Sequence, residues 1–440
     1  MLKAIDNSFL FQQKYLQSKE LSLTERIVYL TIVLTPLWWL LGIQPLFYPA
    51  VVIGLLAYSF DLDKPLKNPL PMSAWAWLVM ALVMLGTALI GISDVGFDLM
   101  ELASTLVTFF KGYFLIFACL ALPFWHKIDS RVITRAVAWM AIGYLVLICF
   151  QLILLVAGIR IGIFYPPLAS LTPGNKLSLM VNFSASLKPF FGINLPRSSL
   201  YMGDPPIPGI CGLLSFFICL GEPNSRLRNL ALAGSLSALL ISQSRLAYVC
   251  LAIAIVTNAS FKSFVARQAY LWFIATIALV CSLWEWTISD LVSQPLKIFN
   301  QARPASSTDR EYVVGKTLEA WQESPWLGWG IVQGTANWHT YKIELGSFST
   351  YAAVLYLHGI FGFIFFISAL AITLFGFWEF AVTDNQLCQR AVSSLIALYI
   401  FIQGLPLSWI SVYIWFFLIW LGAVLSEAQQ SQQANLKRIW

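Results

Sequence analysis

The chain has 440 residues, of which 59% are hydrophobic and 11% charged, and its formal net charge is +6. The mean hydropathy of +0.75 exceeds that of soluble globular domains, so the composition excludes a soluble enzyme or binding domain. The small positive charge gives no indication of a nucleic-acid partner. We therefore expect an integral membrane protein, embedded in the lipid bilayer through spans of about 20 residues each.

Apolar runs in chain order predict an all-α, polytopic membrane helix bundle with about twelve transmembrane helices. The runs lie near residues 26–43, 46–60, 74–92, 105–122, 132–158, 207–221, 228–242, 246–259, 269–288, 351–377, 388–405 and 409–426. The transmembrane domain then covers residues 26–426, between a cytoplasmic N-terminal segment, 1–25, and a cytoplasmic tail, 427–440. Several runs are short, so 26–60 could instead be a re-entrant pair. The Gln-rich stretch 427–436 is predicted to be disordered.

The distribution of Lys and Arg between the runs predicts the orientation of the helices. Short cytoplasmic connections are enriched in these residues, whereas short external ones lack them. The connections assigned to the cytoplasm carry Lys64, Lys67, Lys127, Arg131, Arg226, Arg228, Lys262, Arg267 and Arg390. The intervening connection 93–104 has acidic residues and no Lys or Arg. Both termini are therefore predicted to be cytoplasmic. Two long loops, 159–206 and 289–350, are predicted to be external, the second between the ninth and tenth helices.

Arg245 is an exception to this pattern, because it lies in a short connection that is predicted to be external. The stretch is Ile241-Ser-Gln-Ser-Arg-Leu246, between two apolar runs. A cation is disfavoured at this position by the orientation rule. Its presence there indicates a functional group.

The second long loop is predicted to contain a helix that begins near Arg310. Thr308-Asp-Arg-Glu311 has the pattern of a capping box, with Thr308 as N-cap, and Ser324-Pro325 is expected to end the helix. Arg310 would then lie in the first turn, beside free backbone N–H groups that favour an anion. A solvated surface arginine is the alternative.

The predicted external face carries cations that together suggest a diphosphate site. They are Arg197, Arg245, Arg303, Arg310, Lys316 and Lys342. A guanidinium pairs with phosphate through two parallel hydrogen bonds and stays charged. No metal site or cofactor is predicted, because the seven cysteines show no CxxC spacing and no Cys/His cluster. Arginines would then have to stabilise the charge of a leaving diphosphate by themselves.

Other ionisable residues are less specific. Lys111 lies inside the run 105–122, where it is either a functional group within the membrane or a side chain that reaches the external interface. Each of the three histidines, His126, His339 and His358, is by itself more often structural than a general base.

These residues resemble the O-antigen ligase/O-antigen polymerase family of membrane glycosyltransferases over about residues 195–375. The resemblance rests on Ser242-x-Ser-Arg245 at the start of an apolar run, on Arg310 at the start of a helix, on Ser324-Pro-x-x-Gly-x-Gly330 and on Gly359-x-x-Gly362. It implies a bundle of about twelve helices in the bacterial inner membrane, with an active site facing the periplasm. It also implies metal-independent transfer of glycans from an undecaprenyl-diphosphate-linked donor, with Arg245 and Arg310 as diphosphate-binding residues. Arg197, another cation of the predicted external face, is a third candidate for the diphosphate site.

One position departs from the family. Ligases of the family carry a histidine shortly before the Gly-x-x-Gly motif, but here Phe348 occupies that position and Ser349 follows it. Phenylalanine cannot accept a proton from the acceptor hydroxyl, so another general base is needed. His339, Glu311 and Glu344 are the candidates, and the sequence does not choose among them.

The resulting prediction is a polymerase of O-antigen or surface-polysaccharide repeat units, acting on a sugar or lipid-linked acceptor. One alternative is an O-antigen ligase that transfers the glycan to a lipid A-core acceptor. Another is a non-enzymatic transporter or flippase of lipid-linked oligosaccharide. The enzyme is favoured over the flippase because the cations gather on one face and because no internal repeat is evident.

Overall fold

The computed structural model of the protein describes residues 21–58, 69–171, 179–283, 304–338 and 341–439. These residues are mostly helical. The helices are α1 (Leu23–Val33), α2 (Thr35–Leu41), α3 (Gln44–Tyr58), α4 (Met72–Val95), α5 (Leu99–Lys111), α6 (Tyr113–Trp125), α7 (Ser130–Val156), α8 (Pro206–Cys219), α9 (Ser225–Ser242), α10 (Arg245–Lys262), α11 (Phe264–Leu283), α12 (Pro304–Glu323), α13 (Thr350–Ala381), α14 (Gln386–Phe401), α15 (Leu407–Ile410) and α16 (Trp415–Ile439). Two antiparallel hairpins pair β1 (Ser186–Phe190) with β2 (Ile193–Arg197), and β3 (Thr335–Trp338) with β4 (Tyr341–Glu344).

A helix occupies every predicted apolar run in the described residues, so the positions of the helical segments are confirmed. Among the described residues, five helical stretches are long and apolar enough to cross a membrane, or six if the pair α1–α2 forms one bent span. The five are α4, α5 with α6, α7, α10 and α13. The chain is thus a helical membrane-type protein, while twelve complete spans and the placement of the long loops outside the membrane remain predictions.

Two of the first four predicted runs contain a break. Helices α1 and α2 meet at an angle of 64°, and Pro36 lies in the first turn of α2, where its missing N–H is tolerated. Helices α5 and α6 are separated by Gly112. Lys111 is the last residue of α5 and is half-buried, and its carbonyl accepts a hydrogen bond from the Ser411 hydroxyl at 3.1 Å. The lysine therefore lies at a helix break, not within a straight span.

The core of the bundle is formed by helices with apolar residues on all sides. Helix α16 contributes Trp415 and Trp420, both almost fully buried, and Trp415 stacks on Tyr48 of α3 with ring centroids 5.2 Å apart. Helix α6 lies between α4 and α16 and is buried along most of its length. At the end predicted to be cytoplasmic, Arg135 of α7 pairs with buried Glu222 at 3.1 Å.

Two predictions about the fold are wrong in detail. The two long loops contain β-hairpins, so the fold is not purely helical. The Gln-rich stretch 427–436 is the end of α16 and not a disordered tail. Gln, Ala, Glu and Leu are good helix formers, so the helix can continue past the core. Glu427 further attaches this part of α16 to α7, because it accepts hydrogen bonds from the backbone N–H and the hydroxyl of Ser130 at 2.7 and 2.9 Å.

Candidate functional site

The turn between α9 and α10 holds Arg245 at the start of a helix. Gln243 adopts a left-handed conformation with φ 49°, which ends α9. Ser242 donates its hydroxyl to Leu239 O at 2.6 Å and accepts from Ser244 N at 3.1 Å. Ser244 is the N-cap of α10, and its side chain accepts from a backbone N–H of the first turn. Arg245 is therefore the first helical residue and is half-buried.

Strand β2 packs directly on this turn and brings Arg197 to it. The Nε atom of Arg197 donates to Ser242 O at 3.3 Å. The side-chain amide of Gln243 donates to the carbonyls of Leu195 and Pro196 at 2.9 and 3.1 Å. Arg197 and Arg245 thus lie on two segments that are hydrogen-bonded to each other, although they are far apart in the sequence.

Arg310 does not lie in the first turn of its helix, so the predicted capping box is wrong. Helix α12 begins at Pro304, and Arg310 follows in the second turn. Proline is favoured at the first helical position because its φ is preset and it has no N–H to satisfy there. The N–H groups around Arg310 are consequently engaged within the helix. They do not contribute to an anion site.

The Arg310 side chain reaches across to the turn that follows α14. Its Cζ atom lies 5.5 Å from the centre of the Phe348 ring, which is a cation–π distance. Its Nη1 atom lies 3.3 Å from the point that a Cβ atom on Gly404 would occupy, and Leu246 Cδ2 lies 3.0 Å from the same point. Arg310 and Leu246 therefore both approach Gly404. This places the Arg310 side chain close to the beginning of α10, where Arg245 is located.

Asp204, which precedes α8, interacts electrostatically with this cluster. Burial raises the pKa of the Asp204 carboxyl, and the positive charges of Arg310 and Arg197 act in the opposite direction. Burial lowers the pKa of Arg310, which Asp204 partly offsets. The sequence analysis missed Asp204. Its only signal was a carboxylate directly before Pro205-Pro206, at the end of a loop that is predicted to be external.

Helix α13 is broken at Gly359, and the motif after α12 fills the break. Gly359 has φ 61° and ψ −168°, a conformation that is open essentially to glycine alone. The carbonyls of Tyr356 and Leu357 accept hydrogen bonds from Trp329 N and Gly330 N at 2.9 and 2.7 Å. On the other side of the break, Ile360 N and Phe361 N donate at 2.9 and 3.1 Å to the carbonyls of residues 325 and 326. Segment 325–330 thus replaces the hydrogen bonds that the helix loses.

The glycines of both motifs allow this close approach. A Cβ atom on Gly359 would lie 2.2 Å from Trp326 O, and one on Gly328, which has φ 69°, would lie 2.4 Å from Leu357 C. Both overlaps are too close to tolerate. A Cβ atom on Gly362 would overlap His358 Cβ at 2.3 Å. The predicted motif position Gly359 therefore allows α13 to lie against the 325–330 segment, whereas Gly362 leaves room for the His358 side chain one turn earlier in the same helix.

Phe348 occupies the position of the ligase histidine and has an apolar environment. Its ring packs in a small cluster with buried Val313, Leu345 and Tyr356, beneath the Arg310 guanidinium. The next residue, Ser349, is the N-cap of α13 and accepts from Ala352 N at 3.3 Å. Phe348 and Ser349 therefore fix the start of α13 and support Arg310.

The three candidate bases lie in different surroundings. Glu311 is exposed on α12, next to Arg310 in the sequence. Glu344 is exposed on β4 and lines a groove between α4, α5 and α13. His339 lies outside the described residues, as does Arg303. No group of three or more His, Cys, Asp or Glu side chains in the described part of the chain is arranged to bind a metal ion.

The site thus combines half-buried guanidinium groups from separate segments with the Asp204 carboxylate, which interacts electrostatically with Arg310 and Arg197. A guanidinium in a partly desolvated position binds an oxyanion more strongly than one in water, because less water competes for it. A cluster of this composition is chemically suited to a doubly charged phosphate group near the start of α10.

Comparison with known proteins identifies one matching family. Residues 230–367 match the O-antigen ligase family. The matched region contains Arg245, Arg310, Phe348 and both glycine motifs, whereas Arg197 and Asp204 precede it. No curated protein matches the chain.

Proposed function

We propose that this chain, which carries a domain of the O-antigen ligase family over residues 230–367, polymerises polysaccharide repeat units on an undecaprenyl-diphosphate carrier. The family match supports a role in O-antigen or related polysaccharide processing. The proposal of a diphosphate site is carried by one observation. Arg310 approaches the start of α10 at Gly404, and Arg197 and Asp204 interact with the same region.

In the proposed reaction, a hydroxyl of the acceptor sugar attacks the anomeric carbon of the donor glycan. The bond from that carbon to the diphosphate oxygen breaks, and undecaprenyl diphosphate leaves with the bonding electrons. Negative charge grows on the diphosphate in the transition state, and Arg245 and Arg310 stabilise it. Arg197, which is hydrogen-bonded to the Ser242 carbonyl, supplies further positive charge. The proton of the attacking hydroxyl passes to a general base.

Asp204 acts in this scheme as a positioning residue. It lies near Arg310 and Arg197 and interacts with both through its charge. Without a counter-charge, the guanidinium groups would repel each other, and holding them together would cost free energy. Asp204 offsets this repulsion before the donor binds.

The general base remains one of the three candidates, His339, Glu311 and Glu344. Glu344 has additional support because it lines a groove large enough for a glycan. Phe348 supports Arg310 and has no group that accepts a proton. The absence of a histidine at this position favours a polymerase over a ligase, in which that histidine activates the acceptor hydroxyl.

The second candidate function is ligation of the glycan to a lipid A-core acceptor, which the description of the matching family favours. The test is incubation of the purified protein with undecaprenyl-diphosphate-linked repeat units, with and without lipid A-core. A ladder of longer lipid-linked chains in the absence of lipid A-core is expected for the polymerase. Transfer that occurs only when lipid A-core is present would establish the ligase instead. If neither product forms, the proposed function is wrong.

A further inference from the structure

A groove separate from the arginine cluster opens between α4, α5 and α13. It has a volume of about 640 Å³, within the range of roughly 300–1,000 Å³ that is typical of small-molecule sites. Its lining includes the hairpin residues Thr335 and Glu344 and also His358 of α13. It therefore extends from the long loop down along the helices.

The charge of this groove is opposite to that of the arginine cluster. Asp98, Glu101 and Glu344 line it, and no Lys or Arg is found among its described lining residues. A diphosphate would be repelled by these carboxylates. Carboxylates do, however, accept strong hydrogen bonds from neutral hydroxyl groups, and the hydroxyls of Thr105, Thr108 and others are available alongside them.

His358 presents an acceptor nitrogen at the inner end of the groove. It is 94% buried, with a relative accessibility of 6%, and its Nδ1 lies 2.6 Å from Thr87 Oγ1. Thr87 donates its only hydroxyl proton to Met84 O at 3.0 Å. With its proton on Met84 O, the Thr87 hydroxyl accepts from Nδ1–H, and in this assignment Nε2 is the unprotonated nitrogen of the neutral ring.

The Nε2 atom has no hydrogen-bond partner among the described residues. It is also not among their polar atoms that are both unpaired and fully buried from solvent. It consequently faces the open groove. Tyr113, which also lines the groove, lies edge-on to the imidazole with ring centroids 6.4 Å apart. An aromatic face beside a lone acceptor and several hydroxyls suits a sugar, which presents both C–H surfaces and O–H donors.

The groove and the arginine cluster lie on the same short segment of chain. Gly404 contacts Arg310, and Ser408, four residues later, lines the groove. The segment is held by Thr350, whose hydroxyl donates to Leu405 O and accepts from Leu407 N, both at 2.7 Å. Four extended residues span at most about 14 Å. A glycan of two or three sugars in the groove can therefore reach a donor that is held by the arginines.

We propose that this groove binds the glycan of the acceptor, with His358 Nε2 accepting a hydrogen bond from a sugar hydroxyl. The proposal rests on the proposed function for its substrate class, an uncharged or weakly charged oligosaccharide. It divides the substrates by charge: the diphosphate of the donor binds at the arginines, and the hydroxyl-rich acceptor binds in the acidic groove.

The experiment measures binding of the repeat-unit oligosaccharide, released from its lipid by mild acid and therefore free of phosphate, to the purified full-length protein. Saturation-transfer NMR detects the contact and titration gives the affinity. The variants are H358F, which removes the acceptor nitrogen, and H358Q, which retains an acceptor oxygen. H126F is the matched control, because His126 Nδ1 also lies near a threonine hydroxyl, Thr24 Oγ1 at 3.3 Å, outside the groove.

Loss of one hydrogen bond is expected to weaken glycan binding about 3- to 10-fold in H358F. H358Q should retain part of the affinity, and H126F and R310A should bind as the wild type does. A wild type that binds no phosphate-free glycan, or an H358F that binds it normally while its elution profile is native, would overturn the inference. Normal glycan binding by H358F together with weakened glycan binding by R310A would also overturn the inference, because the glycan would then bind at the arginines.

The outcome is separable from that of the proposed function. If the wild type fails to elongate chains but H358F still loses glycan binding, the polymerase assignment fails and the glycan site stands. If chains are elongated while H358F binds glycan normally, the function stands and the glycan site is wrong.

Discussion

At the scale of single residues, Phe348 shows how an apolar side chain can serve a charged site. Its ring lies 5.5 Å from the Arg310 guanidinium carbon. The sequence could identify the departure from the family at this position, but not the contact. Phe348 and Arg310 are 38 positions apart, and no local pattern indicates that their side chains stack.

Replacing Phe348 by leucine should weaken donor binding, because the cation–π contact with Arg310 is lost. The expected cost is about 1 kcal/mol, or roughly fivefold in the KM for the donor. F348H retains a flat ring beneath the guanidinium and should keep near-normal turnover. Chain elongation at several donor concentrations measures both variants. A KM for F348L equal to that of the wild type would contradict the stacking role.

Replacing Asp204 by asparagine is expected to have opposite effects on donor binding and on turnover. D204N removes a negative charge near Arg310 and Arg197, so the donor diphosphate should bind more tightly. Turnover should fall, about tenfold, because the unpaired guanidinium groups lose their orientation. The measurement is kcat and KM for the donor in D204N and the wild type. An unchanged kcat would show that Asp204 does not position the arginines.

The same residue gives a prediction for pH. Burial raises the pKa of Asp204, so on acidification it becomes protonated at a higher pH than an ordinary aspartate. The wild type should therefore acquire the kinetic behaviour of D204N as the pH falls through that range, while D204N itself stays nearly constant there. By the same linkage, a carboxyl whose pKa is raised on folding favours the folded state most at low pH. Parallel pH profiles for the two proteins would contradict the assignment.

At the scale of elements, the helical segments could be predicted, but their breaks and hairpins could not. Hydrophobic runs located the helices because each buries an apolar surface. The turn between β1 and β2 was missed because its residues, Phe191 and Gly192, both have positive φ. Such turns usually carry Asn-Gly or Asp-Gly, so phenylalanine gives no signal.

The start of α12 was misplaced for a similar reason. Thr308 and Glu311 match a capping pattern, but Pro304 is a stronger local signal for the first helical position. The break at Gly359 depends on hydrogen bonds from a segment about 30 positions earlier in the sequence. A local sequence pattern contains no information about such a partner.

The α13 break offers a stability test with a matched control. G359A introduces a Cβ atom 2.2 Å from Trp326 O at φ 61°, so it should destabilise the fold by at least about 1–3 kcal/mol from backbone strain alone. Gly376 lies in the same helix with nothing near its Cβ position, and G376A should be neutral or slightly stabilising. Thermal unfolding in detergent measures both. Equal melting temperatures for the two variants would show that the break is not required.

At the scale of the whole molecule, the orientation of the bundle remains a prediction from charge alone. The described helices give five or six candidate spans, and shorter apolar helices such as α3 and α8 pack beside them. The sequence could predict that the arginines share a face, because the charge pattern assigns their loops to one side. It could not predict that Asp204 joins them.

Labelling of single cysteines with a membrane-impermeant maleimide tests the orientation. N337C in β3 and K188C in β1 lie at exposed positions of the predicted external loops, and both should react in cells whose outer membrane alone is permeabilised. K127C, exposed in a predicted cytoplasmic connection, is the control and should react only after the inner membrane is opened. The exposed native Cys149 is replaced by serine beforehand. Labelling of K127C before N337C would reverse the topology.

Arg245 and Arg310 are proposed to act on one donor diphosphate, and a double-mutant cycle of chain elongation tests this shared role. R245A and R310A should each lower turnover about 10²–10³-fold. The double variant should be little worse than either, because residues that act as a unit are not additive. R310K should recover only part of the activity, since its ammonium lacks the bidentate geometry. R160A, at an exposed position outside the cluster, should be active. Near-normal elongation by R245A or R310A, with a native elution profile, would show that the two arginines do not share the donor diphosphate.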